Sequence, residues 1–428
     1  MVWNKIETAS REKIDEIALR RLRDTVERVY SLNSFYKGKF DELGIKPGDI
    51  KELKDVEKLP FTRKRDLREH YPFGLFCVPM SEVVRVHSSS GTTGKPTVVG
   101  YTSHDMDVWN EVMARVYKMA GVGGEDTVHN AYGYGLFTGG LGFHYGAEIV
   151  GATVIPASGG FTKRQLMLMK DFGATVLCST PSFALHLAEE ASKAGEEFKK
   201  DYRLRVGIFG AEPTSRGLRE EIAKVWGIKY HEVYGLSEII GPGVSCSCNH
   251  SSRLHIFEDH FLAEIIDPKS GEVLENGEHG ELVITTLTKQ ALPIIRYRTG
   301  DITSITKEPC GCGRTHLRME SIVGRADDML IVNGVNVYPS QVEHVIANSD
   351  GVSLNYQIIA NKKGHLDRLE IVVEIAEGVN SGDMNGIKRS LENSLLNNLY
   401  INTDVTLLQP NTLQRSVGKA VRVVDKRK

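Results

Sequence analysis

Residues 87–102, HSSSGTTGKPTVVGYT, are the stretch on which the reading of this chain turns. Ser88, Ser89, Ser90, Thr92 and Thr93 offer O–H donors, Gly91 and Gly94 let backbone N–H groups approach closely, and Lys95 adds positive charge. A loop of that chemistry is suited to holding phosphate. It is not a Walker loop, because Ser89 stands where the first glycine belongs and Pro96 follows Lys95. A polar surface linker has a similar composition, so the surroundings must decide between the two.

Downstream, short β-branched runs at 83–86, 153–156, 175–179, 206–209 and 230–233 alternate with helical segments such as 182–194 and 216–226. This alternation predicts an α/β fold, a parallel sheet with helices on its faces. Ligands of such sheets gather at the carboxyl ends of strands. HSSSGTT, GAEPTS and YGLSE all fall there. Residues 130–145, NAYGYGLFTGGLGFHY, mix aromatics with glycines and follow neither the helical nor the strand period. That composition predicts a flat apolar pocket.

Upstream, Ser10 is a plausible N-cap for an amphipathic helix with Ile14, Ile17, Ala18, Leu22, Val26 and Val29 on one face. Residues 32–80 read as short helices covering the body, packed through Phe35, Tyr71, Phe73 and Phe76. Residues 261–301 read as antiparallel β. Beyond 324 the pattern becomes a compact α+β unit of typical small-domain size. The expected organisation is an N-terminal domain, 1–324, with a helical cover (1–80) and a β subdomain (240–323), then a C-terminal domain, 325–428.

With 428 residues the chain is long enough for more than one core. Its 53 basic and 55 acidic side chains nearly cancel, so no global field argues for nucleic acid or an anionic membrane. No apolar run approaches the roughly 20 residues needed to span a bilayer. The reading is of a soluble, cytoplasmic protein with small-molecule partners. Four of the six cysteines fall into two CxC pairs, Cys246/Cys248 and Cys310/Cys312, which in a reducing compartment suggests metal before disulfides.

Taken in order, SSSGTTGKP, GAEP, YGLSE, YRTGD, GRADDMLIVNG and a late lysine in SVGKAVRV resemble the signature segments of the adenylate-forming superfamily, the acyl-CoA synthetases. YPFGLF, GYGLFTGGLGFHYGAE, SGGFTKRQ, EDHFLAEIID, TTLTKQALPIIRYRTGD and VNVYPSQVE extend the likeness to the phenylacetate-CoA ligase family over nearly the whole chain. The resemblance implies an adenylate-forming fold with a mobile C-terminal domain, and an AMP-forming aryl-acetate:CoA ligase. Such an enzyme activates a carboxylate with ATP and Mg²⁺ as an acyl-adenylate, then transfers the acyl group to coenzyme A. A homodimer is implied by the same likeness alone.

Carried over residue by residue, Ser88 to Lys95 would grip the phosphates, with Thr93 among the catalytic groups, and Glu238 would hold Mg²⁺. Gly210, Ala211 and Glu212, with Tyr234, Gly235, Leu236 and Ser237, would frame the adenine. Asp301 would accept the ribose hydroxyls and Arg325 would face ribose or phosphate. Lys419 would bridge carboxylate and phosphate during adenylation, and Asp327 would be the hinge. The usual LPRSEGK context of that lysine reads LQRSVGK here, with Gln414 and Val417 departing from it. Tyr132, Gly133, Tyr134 and Phe137 would line the acyl pocket, whose aromatic walls suit an aryl-acetic acid, phenyl or indole.

Cys248, His255, Cys310 and Cys312 form a three-cysteine, one-histidine set suited to tetrahedral, structural Zn²⁺, with Cys246 and His250 as competing ligands. Two other readings stand beside the ligase: an adenylating enzyme with an acceptor other than CoA, and a zinc-stabilised nucleotide-binding protein without turnover.

Overall fold

The short apolar runs meet in the first of two compact units, formed by residues 1–179, 199–211 and 229–321. The computed structural model describes residues 2–89, 96–326, 330–332, 335–363, 366–379, 381–414 and 422–427. Strands β1 (Arg85–Ser88) and β2 (Val98–Tyr101) pair antiparallel, with Ser88 opposite Val98. Strands β3 (Thr127–Asn130), β4 (Thr153–Ile155), β5 (Val176–Ser179), β6 (Val206–Phe209) and β7 (Lys229–Leu236) are parallel. Strands β8 (Gly241–Cys248) and β9 (Ser251–Ile256) extend that sheet antiparallel. A separate antiparallel sheet follows, from β10 (Phe261–Ile266), β11 (Gly280–Thr286) and β12 (Tyr297–Thr303). Strands β13 (Ile305–Thr306) and β14 (Arg318–Met319) then return to the first sheet, whose order is β13-β14-β9-β8-β7-β6-β5-β3-β4. The sheet is therefore mixed, and β7 is where parallel pairing gives way to antiparallel.

The first run departs from its expected place. It forms β1 two residues later than predicted and stays out of the parallel sheet. A parallel neighbour needs a crossover of a dozen or more residues, and the few between Ser88 and Val98 allow only an antiparallel return.

Helix α1 (Arg11–Leu32) begins at Ser10, whose side chain accepts from Lys13 N–H, and buries Ile14, Ala18, Leu22, Val26 and Val29. Fully burying each larger apolar side chain of that stripe is worth about 1.5–3 kcal/mol. Helix α2 (Ser34–Glu42) and the short α3 (Lys64–Glu69) follow. Tyr36 and Phe40 of α2 are fully buried beside α1, whereas Tyr71 and Phe73, expected to pack, are 40% and 38% exposed. The register of α2 turns Tyr36 and Phe40 inward together, because residues four apart share a helix face.

Helix α4 (Ser103–Met119) is capped by Thr102, and α5 (Thr138–Ile149) lies against it. The second half of 130–145 is thus helical, against expectation. A Cβ at Gly142 would lie 2.7 Å from the Trp109 ring, and one at Gly146 would lie 2.5 Å from Met113 Cβ. The glycines let α5 rest directly on α4, and that packing outweighs a helix cost of about 1 kcal/mol per glycine. Helix α6 (Thr162–Asp171) precedes β5.

The second unit comprises residues 180–198, 212–228 and 322–428. Helices Pro181–Lys193 and Arg216–Trp226 are joined by Trp226 Nε1, which donates to the Ala184 carbonyl at 2.9 Å. The C-terminal stretch builds a sheet in which Leu366–Ile375 pairs antiparallel with Val352–Lys363 and parallel with Thr403–Leu408. Val423–Asp425 pairs parallel with Val352–Lys363. Helices Pro339–Ala347 and Met384–Leu399 share its core, the latter through Leu391, Leu395 and Leu399 at helical spacing. Among the described residues no helix is long and apolar enough to cross a membrane.

Candidate active site

Hydrogen bonds join the motif segments of the first unit end to end. Ser88 N–H donates to the Leu136 carbonyl at 2.9 Å, and His87 Nδ1 lies 3.0 Å from the same oxygen. The base of the β1–β2 hairpin is closed by Ser89 N–H on the Thr97 carbonyl (2.9 Å) and Thr97 N–H on Ser89 Oγ (3.1 Å). Two residues beyond Leu136, at the start of α5, Thr138 Oγ1 sits 3.2 Å from Ser237 Oγ. Tyr234, at the other end of that motif, donates its hydroxyl to Asp301 Oδ2 at 2.7 Å. Asp301 is only 5% exposed, and its own N–H donates to Thr299 Oγ1. A carboxylate held by a charge-assisted bond presents its remaining lone pairs in a fixed direction.

Glycine is required at two of the motif positions by backbone crowding. A Cβ on Gly235 would lie 2.0 Å from the Gly241 carbonyl oxygen, and one on Gly210 would lie 2.4 Å from that of Val233. Tyr234, Gly235 and Leu236 at the end of β7 and Ser237 in the turn after it are half-buried, so they offer an accessible edge, while Glu238 just beyond is buried. Lys64, at the start of α3, places Nζ 3.6 Å from Glu238 Oε1. Sequence reasoning missed Lys64; nothing in its local context marks it, and only the fold brings it to the acid.

Tyr132 stacks on Phe143, ring centres 4.6 Å apart, and its hydroxyl meets the carbonyls of Ser179 (2.6 Å) and Gly210 (3.3 Å) at the ends of β5 and β6. Tyr134 lies between Asn130 and His144, with Gly133 and Phe137 exposed beside it. Ala211 adopts φ +71°, a left-handed conformation that costs a side-chain-bearing residue about 1–2 kcal/mol. Backbone strain of that kind is a mark of functional loops. In the second unit, Glu212 accepts from Ser182 N–H (3.1 Å) and Ser182 Oγ (2.8 Å), placing its charge at the positive end of helix Pro181–Lys193. Arg325 is half-buried on the short strand Gly324–Arg325. Ser90, Gly91, Thr92, Thr93, Gly94, Lys95, Asp327 and Lys419 lie outside the described residues.

The expected metal set comes together in the first unit. The ligand atoms of Cys248, His255, Cys310 and Cys312 all lie within 4.8 Å of one another. Cys248 and Cys310 sulfurs are 3.7 Å apart, and Cys312 Sγ is 3.4 Å from His255 Nε2. Tetrahedral Zn²⁺ with bonds of about 2.3 Å to sulfur and 2.0–2.1 Å to nitrogen puts its ligands about 3.8 Å (S to S) and 3.5 Å (S to N) apart. The donors thus fit that ion. Burial would raise the Cys312 thiol, yet His255 and the Arg314 backbone bring it down to about 5; burial pushes Cys248 up to about 12. Of the competing ligands, Cys246 turns its sulfur to the Ser247 carbonyl (3.2 Å), and His250 gives only its backbone N–H to Cys248 Sγ (3.4 Å). The loop carrying Cys310 and Cys312 is itself anchored, by the buried pair of Arg314 and Glu7.

The sequence model of the AMP-binding enzyme family matches residues 53–288, and that of the AMP-binding enzyme C-terminal domain matches residues 334–427. The phenylacetate-coenzyme A ligase of Thermus thermophilus is 48% identical over 445 residues, covering 100% of both chains. That of Escherichia coli is 47% identical over 426 residues, covering 99% of this chain and 97% of its own. Among solved structures, 2-hydroxyisobutyryl-CoA ligase in the postadenylation state, in complex with R3-HIB-AMP, superposes with a TM-score of 0.93 at 28% identity. That match covers 99% of this chain and 92% of the other.

Proposed function

We propose a mechanism on one premise: the chain belongs to the phenylacetate-coenzyme A ligase family of AMP-binding enzymes. It is an ATP-dependent, AMP-forming acid–thiol ligase that joins an aryl-acetic acid to coenzyme A. A carboxylate oxygen of the acid attacks the α-phosphorus of ATP, and the bond to pyrophosphate breaks. The coenzyme A thiolate then attacks the acyl carbon, and AMP leaves with the electron pair of the C–O bond.

The observation that supports the assignment of residues is the hydrogen-bonded line Ser88–Leu136, Thr138–Ser237, Tyr234–Asp301, which links the segments read as phosphate hairpin, acyl segment and ribose acid. Asp301 accepts the ribose hydroxyls while Tyr234 keeps its carboxylate from turning. The loop from Ser88 to Lys95 clamps the pyrophosphate end, which places donors where charge develops. Lys419, carried by a mobile domain 325–428 that turns at Asp327, neutralises charge between the two reacting anions. Tyr132, Gly133, Tyr134 and Phe137 shape the acyl pocket.

Glu238 is a buried acid facing a lysine and fits a cation-binding role; when bound there, Mg²⁺ supplies charge neutralisation on phosphate oxygens. Cys248, His255, Cys310 and Cys312 would hold a structural zinc, four protein ligands leaving no open position for chemistry. All six cysteines are free of disulfides, which suits work in the reducing cytoplasm.

The test is pyrophosphate release from ATP and phenylacetate, with and without coenzyme A. Release that coenzyme A stimulates, with thioester formed, is the expected result. Release without thioester would assign another acceptor, and no release with any aryl acid would leave a nucleotide-binding protein.

A further inference from the structure

Tyr134 is held in a chain of hydrogen bonds that runs from Asn130 to Glu148. Asn130 Nδ2 lies 2.8 Å from the Tyr134 hydroxyl and 2.8 Å from the Gly140 carbonyl, while Asn130 Oδ1 accepts from Tyr132 N–H at 3.3 Å. The amide is therefore oriented with its NH₂ group toward Tyr134, where it can only donate. On the far side, His144 Nδ1 is 3.1 Å from the same hydroxyl, and His144 Nε2 is 3.1 Å from Glu148 Oε1. A carboxylate accepts, so Nε2 carries the proton, and in a neutral imidazole Nδ1 is then bare. With the imidazole neutral, the phenolic hydrogen goes to His144. The Tyr134 oxygen has one lone pair engaged by Asn130 and one left over.

The backbone that carries Tyr134 is held as closely as its hydroxyl. Tyr134 N–H reaches Ser158 Oγ at 3.4 Å, and α5 is pressed so closely that a Cβ on Gly140 would lie 2.5 Å from the Gly133 carbonyl oxygen. Next to it the chain is open, with Leu136 56% and Phe137 50% exposed.

We propose that Tyr134 is a specificity-determining residue whose hydroxyl accepts a hydrogen bond from the acyl substrate and has none to give. The pocket accordingly favours aryl-acetic acids with an O–H or N–H on the ring edge over isosteres that bring an acceptor to the same place. This rests on Tyr134 lining the acyl pocket. A phenol or indole N–H satisfies the remaining lone pair. A pyridine nitrogen there meets oxygen with no proton between them, and loses its water without replacement.

The experiment measures kcat and KM in the full reaction. The substrates are phenylacetate, its 3- and 4-hydroxy and 3- and 4-fluoro derivatives, and 3- and 4-pyridylacetate. The wild type should prefer hydroxyl over fluoro at one ring position by roughly 2- to 10-fold in kcat/KM, through KM, as one neutral hydrogen bond supplies. Tyr134→Phe should abolish that preference. His144→Phe keeps a ring but releases the Tyr134 hydrogen, so a pyridylacetate should gain roughly 2- to 10-fold relative to phenylacetate. No hydroxyl preference in the wild type, or one that survives Tyr134→Phe, overturns the inference. If Tyr134→Phe leaves every acid unchanged, the placement of Tyr134 in the pocket falls with it. If that variant weakens every acid alike, the placement stands and the donor selectivity alone is wrong.

Discussion

Replacing Lys289 by methionine should stabilise the protein at neutral pH and flatten its alkaline stability profile. The side chain is 4% exposed, its ammonium has no hydrogen-bond partner among the described residues, and it lies 3.8 Å from the centre of the Tyr101 ring. Burial drives its pKa from 10.5 down to about 8, with Asp105 pulling the other way. Asp105 is already occupied by the backbone N–H groups of Thr102, Gln290 and Ala291. At about 1.4 kcal/mol per pH unit, burying the charge costs roughly 3 kcal/mol. The ring face returns at most about 2 kcal/mol, leaving a net penalty of about 1–2 kcal/mol. Between pH 8 and 10.5 the unfolded chain holds this proton and the folded one does not, so stability rises with pH across that window. Below it the penalty is present in full. Urea unfolding followed by tryptophan fluorescence, to which Trp109 stacked on Tyr101 contributes, reads the effect at pH 7 and near pH 10. Lys289→Met should be more stable by about 1–2 kcal/mol at pH 7, with the difference shrinking at the higher pH. A variant at least 1 kcal/mol less stable at pH 7, or a difference that ignores pH, would refute the reasoning.

Three further predictions concern the site. Tyr234→Phe removes a bond to a charged group, worth about 1.5–3 kcal/mol, and should raise KM for ATP about 10- to 100-fold while leaving KM for coenzyme A in place. Lys419→Ala should lose adenylation by about 100- to 1,000-fold yet still convert preformed acyl-adenylate and coenzyme A to thioester; equal loss in both half-reactions would end the assigned role. Protein purified without chelators should carry one zinc per chain by elemental analysis. Cys310→Ser should lower that content and the thermal midpoint together, and finding no zinc in the wild type would dismiss the metal.

The parallel strands were legible because each is an apolar run bounded by turn residues, and α1 because Ser10 and its buried stripe are local signals. Helix α5 was hidden by its glycines, whose advantage exists only once Trp109 and Met113 lie against them. Had 138–149 been read as helix, His144 and Glu148 would have appeared as an i, i+4 pair pointing to the Tyr134 chain. Hairpin β1–β2 escaped because a strand's partner is not written in the strand itself. The Cys/His cluster was legible from residue type and the two CxC pairs, although Cys310 lies 55 positions after His255 and only folding joins them. Lys64 and Lys289 carry no local mark at all; their meaning comes from the acid and the ring that the fold sets beside them.

The pairing of Glu7 with Arg314 has a consequence for synthesis. The two are 307 residues apart and both buried, and Thr315 also bonds to the backbone of Glu7 and Ala9. A ribosome adding about 5–20 residues per second needs roughly 15–60 s to supply Arg314 after Glu7 has emerged. Throughout that interval the first segment has neither its counter-ion nor its docking loop. Helix α1 can pack on α2 early, but the segment before it must wait with a buried-type acid unpaired, which makes this end of the nascent chain a natural client of a holding chaperone. Chains released short of residue 314 should be the ones that aggregate.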